Sequence, residues 1–188
     1  EYYDSSNDLI KKEINLYSDT NFVYLGFNSS NNNLIKNTSP IFNFNDTIYN
    51  YTKSLHHEKE LLNFIKSGRN WVGEQFDNNI LSFSAEYNPP YLESKDFSIE
   101  YNVCARSSNY SNNIVQLMIN GQETSNSQIS KVSSIYYNDY VKFKKNNFSG
   151  ILTDDSINVK FYYKQVNNPN AWLDYFTLNT RERITFNT

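Results

Sequence analysis

Strict alternation between apolar and polar side chains in Asp96–Arg106 is the feature that most constrains the fold. Five apolar residues occupy every second position from Phe97 to Ala105, and mainly polar residues stand between them. Successive side chains of a β-strand point to opposite faces, so this pattern predicts a strand with one buried face. Ile157–Tyr163 repeats the pattern. Two such strands need a second layer of structure to cover their apolar faces.

Further strand candidates, separated by turn signals, follow along the chain. The apolar run from Ile114 ends at Asn120-Gly121, a pair typical of hairpin turns. Strands do not alternate with long helical patterns, so the sequence predicts a mainly β chain, an antiparallel β-sandwich of jelly-roll-like form. The other strand candidates are Asp8–Tyr17, Phe22–Phe27, Thr47–Lys53, Ile80–Tyr87, Tyr140–Phe148 and Ala171–Asn179.

One short helix is predicted between Ser54 and Gly68. Leu61, Leu62 and Ile65 share a face at helical spacing. Ser54 suits the N-cap position, and Gly68 stands where a C-cap glycine belongs.

The length of the chain fits one sandwich. We expect residues 1–188 to form a single β-sandwich module. The sequence begins at Glu1 rather than at a methionine, so we expect either an excised fragment or a mature product.

Charge, hydropathy and cysteine content argue against several classes of function. The net charge is −3 and Lys142–Lys145 is the only basic cluster, so we expect no nucleic-acid partner. No apolar run approaches the roughly 18–20 residues of a membrane helix, so we expect no transmembrane segment. Cys104, the only cysteine, lies in a predicted strand without a neighbouring histidine or lysine, which favours an inert thiol.

The densest functional chemistry lies in residues 56–76, with two histidines and three glutamates. A zinc-binding helix needs histidines four positions apart, whereas His56 and His57 are adjacent and no third histidine exists. The glutamates would serve a glycoside hydrolase only if two of them faced each other across a cleft, which a sequence does not show.

A structural interpretation of the same segment is a helix followed by a turn. Arg69, Trp71 and Glu74 would hold this turn by an ion pair and aromatic packing. We expect Trp71 to be buried, so that its replacement by alanine would cost about 3–5 kcal/mol.

Four blocks of the sequence stand out as possible family motifs. They are "NLYSDTNFVYLGF" (Asn15–Phe27), "HEKELLNFIKSGRNWVGEQF" (His57–Phe76), "VCARSS" (Val103–Ser108) and "NAWLDYFTLNTRERITF" (Asn170–Phe186). In this order they resemble segments of the PorU family, the C-terminal signal peptidase (sortase) of the type IX secretion system. Val72 stands where the family pattern has an aromatic residue, and Asn70 where it often has an acid.

The resemblance implies that this module is excised from a larger multidomain protein, and it implies a function for that whole protein rather than for this region. A gingipain-like cysteine peptidase domain would lie downstream, remove the C-terminal sorting domains of cargo and leave this region noncatalytic. No catalytic or metal-binding residue is therefore carried over. The family-motif positions, expected to be structural or interface residues, are His57, Glu58, Ser67, Gly68, Arg69, Trp71, Gly73, Glu74, Phe76, Trp172 and Asp174.

The resemblance also implies partners and a location. The module would position the peptidase or dock partners: the parent's own peptidase domain, outer-membrane or surface proteins of the secretion system, and secreted cargo. The protein would be exported and associated with the cell surface or outer membrane.

Two other functions stay open at the level of sequence. A carbohydrate-binding jelly-roll module would expose aromatic rings to stack on sugars, whereas Trp172 and Tyr175 lie in an alternating strand that favours core packing. An independent hydrolase is the third interpretation. We expect no cofactor, because Asp19, Asp154 and Asp155 do not form the pattern of a calcium loop. A structural calcium ion bound by these three residues stays open as the alternative, since jelly rolls often carry one.

The first prediction is that the chain has no thiol peptidase activity. Cys104 lacks a neighbouring base, so a sorting-domain peptide incubated with the purified chain should stay intact when followed by mass spectrometry. Cleavage that the Cys104→Ala variant loses would overturn this prediction.

Overall fold

Antiparallel β-strands make up most of the regular structure in the computed structural model. The structure describes residues 2–4, 9–11, 48–66, 68, 70–77, 79–107, 113–133, 139–164 and 170–185. Its strands are β1 (Tyr2–Asp4), β2 (Leu9–Lys11), β3 (Asn50–Glu58), β4 (Leu62–Asn63), β5 (Trp71–Val72), β6 (Gln75–Phe76), β7 (Ser82–Tyr87), β8 (Leu92–Arg106), β9 (Asn113–Ile119), β10 (Gln122–Ile129), β11 (Lys142–Ile151), β12 (Ile157–Lys164) and β13 (Asn170–Arg183).

These strands form two main sheets. One has the order β11-β8-β13-β3, and β6 joins it as a fifth strand by pairing with the start of β13. The other has the order β10-β9-β12-β7. Two smaller pairs, β1 with β2 and β4 with β5, are also antiparallel. The predicted fold class, an antiparallel β-sandwich of jelly-roll-like form, is confirmed.

The main core lies between the inner faces of the two sheets. The alternating residues of β8 from Phe97 to Ala105 are buried in it, as are those of β12 from Ile157 to Tyr163. The Phe161 ring lies 5.3 Å from the Tyr101 ring and 5.7 Å from the Phe176 ring, measured between centroids. Phe161 belongs to one sheet and its two partners to the other, so this contact joins the layers.

The predicted turn at Asn120-Gly121 connects β9 to β10. Both residues have positive φ, 50° and 79°, as a two-residue hairpin turn of this kind requires. The Asn120 side chain also accepts a hydrogen bond from the backbone N–H of Asn158 at 2.7 Å. The turn is thereby fixed to the neighbouring strand β12.

The predicted helix between Ser54 and Gly68 was wrong in its extent. Strand β3 runs through Glu58, and the only helical turn among the described residues of the segment is a 3₁₀ turn at Phe64–Lys66. Leu61 and Ile65, which were expected to form a buried face, are exposed. The segment leaves the sheet as a loop, so the side chains of Leu61 and Ile65 stay largely in solvent despite their helical spacing.

Most other strand predictions overlap strands that prove longer. The candidates Thr47–Lys53, Tyr140–Phe148 and Ala171–Asn179 correspond to β3, β11 and β13. Strand β10 was not predicted, because its eight residues include one apolar side chain. The candidate Phe22–Phe27 and most of Asp8–Tyr17 lie outside the described residues. In the described part of the chain no helix is long and apolar enough to cross a membrane.

Phe161→Ala should destabilise the fold by about 3–5 kcal/mol, because it leaves a cavity between the two sheets. Chemical denaturation followed by fluorescence measures this free energy of unfolding. Phe143→Ala is the matched control, since the Phe143 side chain is 38% exposed on β11 and should cost much less. Equal losses in the two variants would contradict the assignment of the core.

Candidate functional site

The site is built around the first half of β13, where the histidine- and glutamate-rich segment 56–76 leaves the sheet and returns to it. β3 pairs with β13 from Arg183 back to Tyr175, where Glu58 of β3 makes the last pair. The chain then loops away and returns at Gly73, whose N–H donates to the Leu173 carbonyl at 2.8 Å. β6 continues the pairing at Ala171 and Trp172. The two ends of the loop therefore lie on the same edge of β13.

His57 and Glu74 close this loop. The His57 Nε2 lies 3.0 Å from Glu74 Oε1, and the Lys59 ammonium lies 3.2 Å from the same oxygen. The His57 ring stacks on the Phe176 ring and lies against Phe83, with centroid distances of 5.1 and 4.9 Å. One imidazole thus joins the loop closure to the core between the sheets.

Gly73 lies at the crossing point, where the returning loop meets the backbone of Lys59 and of Leu173. A Cβ built on Gly73 would lie 3.0 Å from the Lys59 carbonyl oxygen and 3.1 Å from that of Leu173. Contacts this short are tighter than most that a side-chain carbon makes, so any other residue would require its neighbours to shift by a few tenths of an ångström. The glycine permits the close approach through its missing side chain, since its φ is not positive.

His56 faces away from the sandwich core, on the opposite side of β3 from His57. Its Nδ1 lies 2.8 Å from the Thr177 hydroxyl, and its Nε2 lies 3.0 Å from Glu58 Oε2. The adjacent histidines thus serve separate faces, as strand geometry demands.

Asp174 lies on the same outer face, at an irregularity of β13. The register with β8 shifts between Leu173 and Tyr175, and Asn102 Nδ2 donates to Asp174 Oδ2 at 2.8 Å. Burial raises the pKa of Asp174 to about 6, against the opposing effect of the Asn102 hydrogen bond. The other side-chain atom of Asn102, Oδ1, is buried without a hydrogen-bond partner.

A third polar group on this face joins three strands. The Tyr175 hydroxyl donates to Glu100 Oε1 at 3.1 Å, and the Lys145 ammonium lies 2.8 Å from the same oxygen. Burial raises the pKa of the Tyr175 hydroxyl. These contacts give Glu100 an ion pair and a hydrogen bond, as expected for a structural carboxylate.

A second apolar cluster covers the outer face at the start of β13. The Trp172 and Phe64 rings meet edge to face at 4.9 Å, and Val72, Cys104 and Val141 complete the cluster. Burial raises the pKa of the Cys104 thiol, which disfavours the reactive thiolate. Trp172 is buried, as expected for a core position.

The expected burial of Trp71 was wrong, and so was the stability cost derived from it. Its side chain is 43% exposed, whereas the neighbouring Val72 is fully buried. β5 pairs with β4, so Trp71 points outward while Val72 packs towards the sheet.

The remaining motif residues divide between loop and core. Gly68 has a φ of 73° and its N–H donates to Asn63 Oδ1 at 3.1 Å. Phe76 is buried in the main core. Ser67 and Arg69 lie outside the described residues. Glu74 contacts His57 and Lys59, neither of which was predicted as its partner.

No group of three or more histidine, cysteine, aspartate or glutamate side chains within the described ranges is placed to hold a metal ion. Asp154 and Asp155 lie in an exposed bend after β11, and Asp155 is 3.7 Å from the Lys95 ammonium. Asp19 is not among the described residues.

The crystal structure of dimeric latent PorU from Porphyromonas gingivalis matches 74% of this chain with a TM-score of 0.64 and 18% sequence identity. The chain thus has a PorU-like fold. The chain spans only 13% of the length of that protein. No protein-family model and no curated protein sequence matches the chain.

Two carbohydrate-binding modules also share the sandwich architecture at low similarity. A family 36 module in complex with calcium and xylotriose matches 67% of this chain and 98% of its own length, with 13% identity and a TM-score of 0.39. A family 35 module from Clostridium thermocellum matches 70% of this chain and 98% of its own length, with 12% identity and a TM-score of 0.36. Scores this low carry no information about a ligand.

Asp174 should make the stability of the chain depend on pH. Its pKa in the folded chain is above the ordinary value of 3.8, so the folded state binds the proton more tightly than the unfolded state. Stability therefore falls as pH rises through this range. Between about pH 4 and pH 7 the free energy of unfolding should fall by about 1–3 kcal/mol relative to Asp174→Asn.

Denaturant titrations at a series of pH values test this difference. The control is Asp155→Asn, at an exposed carboxylate, whose stability should follow that of the unsubstituted chain. Parallel curves for the unsubstituted chain and Asp174→Asn would contradict the prediction.

Proposed function

We propose that the chain is a noncatalytic module of a type IX secretion system sortase, and that it positions a gingipain-like cysteine peptidase domain lying outside these 188 residues. The observation that carries the proposal is the meeting of the family-like sequence blocks in space. The described parts of His57–Phe76, Val103–Ser108 and Asn170–Phe186 all meet along the first half of β13. The PorU-like fold supports the same assignment.

The arrangement of these blocks favours a structural role for them. Glu74 is held by His57 and Lys59, and Glu100 by Tyr175 and Lys145. Gly73 serves backbone packing. Catalytic acids and nucleophiles need access to a substrate, whereas these contacts bind the segments to one another.

A surface for the peptidase domain lies where β3 begins and β13 ends. Ile48, Tyr49, Tyr91 and Ile184 are 77%, 71%, 48% and 37% exposed, and we name them the apolar patch. Ile184 donates its N–H to the Tyr49 carbonyl at 2.8 Å, and Arg183 donates to that of Tyr91 at 2.9 Å. The patch is therefore continuous. Contiguous exposed apolar surface marks interaction sites, and a domain that is a small part of its protein needs such a surface.

In the complete protein, replacing both Ile48 and Tyr49 by glutamate should leave sorting domains uncleaved on secreted cargo. Two charges placed in the apolar patch would oppose docking of the peptidase domain, because buried unpaired charges are costly. Immunoblotting of cargo with an antibody against the sorting domain measures the effect.

The matched control is Ile151→Glu, which changes a side chain that is 76% exposed on β11 at the opposite edge of the sheet. It should leave processing normal, and all variants of the isolated chain should melt at the same temperature. Normal cargo processing by the Ile48 and Tyr49 variant would refute the docking role. A complete coding sequence without a cysteine peptidase domain would refute the sortase assignment.

A further inference from the structure

The hairpin of β4 and β5 is attached to the sheet by one of its sides only. Phe64 and Val72 are buried in the second apolar cluster, where Phe64 packs edge to face on Trp172. The Gly68 N–H donates to Asn63 Oδ1 at 3.1 Å and thereby holds the turn between the two strands. The hairpin thus has a fixed position on the sandwich, and its other side faces solvent.

Three large apolar side chains lie on the solvent side of this hairpin. Leu61, Ile65 and Trp71 are 65%, 71% and 43% exposed, and we name them the hairpin face. A single exposed leucine is common on protein surfaces. Three large apolar residues exposed on one short hairpin instead indicate an interaction site.

Ile65 is disfavoured by its backbone as well as by solvent. Its φ and ψ of 50° and 19° lie in the left-handed region, which glycine and asparagine adopt readily and β-branched residues rarely do. Neither the conformation of the turn nor the contacts within the described chain therefore explain an isoleucine at this position. Residues that break a local rule without a structural gain tend to mark functional sites.

Cationic groups adjoin the hairpin face. Residues 61–73 include two basic residues and no acidic one, although the whole chain has a net charge of −3. Lys66, next to Ile65, is exposed. The Arg106 guanidinium lies 3.6 Å from the centre of the Tyr140 ring, and that ring contacts Phe64. The surroundings of the hairpin face therefore combine basic side chains with a further exposed aromatic ring.

The acids that adjoin these residues along the chain interact elsewhere. Asp139, which precedes Tyr140, is paired with Lys142. Glu60, which precedes Leu61, acts on the buried carboxyl group of Asp174 in the sheet. The basic side chains next to the hairpin face thus remain available to an anionic partner.

A lipid surface fits this combination better than a protein partner does. A stable protein interface takes about 20–30 residues from each partner, far more than the hairpin face provides. An interfacial lipid anchor needs only shallow insertion of apolar side chains beside basic ones. Tryptophan and tyrosine favour the depth of the headgroups, and lysine and arginine are attracted to anionic lipids.

We propose that the hairpin face inserts into the headgroup region of a membrane that contains anionic lipids, with Ile65 and Trp71 as the main inserted side chains. This proposal goes beyond the sortase assignment and does not depend on it, since it rests on the hairpin alone. The apolar patch lies at the other end of β13, so a membrane and a peptidase domain would not compete for one surface.

Tryptophan fluorescence of the 188-residue chain, mixed with lipid vesicles, tests the proposal. The vesicles are an equimolar mixture of phosphatidylcholine and phosphatidylglycerol with brominated acyl chains, which quench tryptophans that enter the membrane. The chain has two tryptophans and Trp172 is buried, so quenching reports on Trp71. We expect quenching that weakens in high salt and in vesicles of phosphatidylcholine alone, because the attraction to anionic headgroups is then screened or absent.

Ile65→Asn separates membrane binding from stability. It should weaken vesicle binding about tenfold or more, because one inserted apolar side chain is lost. The melting temperature should stay the same or rise, since asparagine adopts the left-handed backbone more readily. The matched control is Ile151→Asn, which removes an isoleucine that is 76% exposed at the far end of β11 and should leave vesicle binding unchanged. Leu61→Ser replaces Ile65→Asn if that variant does not fold.

Unquenched Trp71 in the anionic vesicles would overturn the proposal. Equal vesicle affinity of the unsubstituted chain and the hairpin variant would overturn it as well. Analytical ultracentrifugation tests the remaining occupant: a dimer in solution that Ile65→Asn dissociates, without vesicle binding, would assign the hairpin face to a second copy of the chain instead.

Discussion

The pairing of β13 on both of its edges is the constraint on which the rest of the structure depends. β8 follows one edge over nearly the full length of β13, while β3 and then β6 share the other. The backbone groups of such a central strand are paired within the sheet, and the apolar side chains on its two faces need other elements to cover them. The four-stranded sheet covers the inner face, and Phe64 and Val72 from the loop cover Trp172 on the outer face.

The loop closure follows from the same constraint. A chain that leaves one edge of β13 and returns to it must bring its ends together, and the entropic cost of doing so grows slowly with loop length. The contact of His57 with Glu74 offsets part of that cost, and Gly73 allows the returning backbone to approach Leu173. Chain connectivity thus explains why His57, Lys59 and Glu74 stand in this segment.

Period-two alternation predicted the faces of β8 and β12 because it reports burial directly, one residue at a time. It failed for β10, whose buried Ser127 is stabilised by a hydrogen bond with the Tyr101 hydroxyl rather than by apolar packing. Leu61 and Ile65 gave a false helix, since their spacing fits a helix but nothing packs against them. Sequence marked His57 and Glu74 as candidates, yet their contact depends on a return of the chain that no local pattern encodes.

Buried hydroxyl and carboxylate groups join the two sheets at particular points. The Tyr101 hydroxyl lies 2.9 Å from the Ser127 hydroxyl, and the Tyr87 hydroxyl donates to Glu182. In each pair one residue belongs to the five-stranded sheet and the other to the four-stranded sheet. A buried hydrogen bond contributes little net free energy, but leaving its groups unpaired is costly. Such pairs therefore fix how the two sheets are placed on each other, while apolar packing supplies most of the stabilisation.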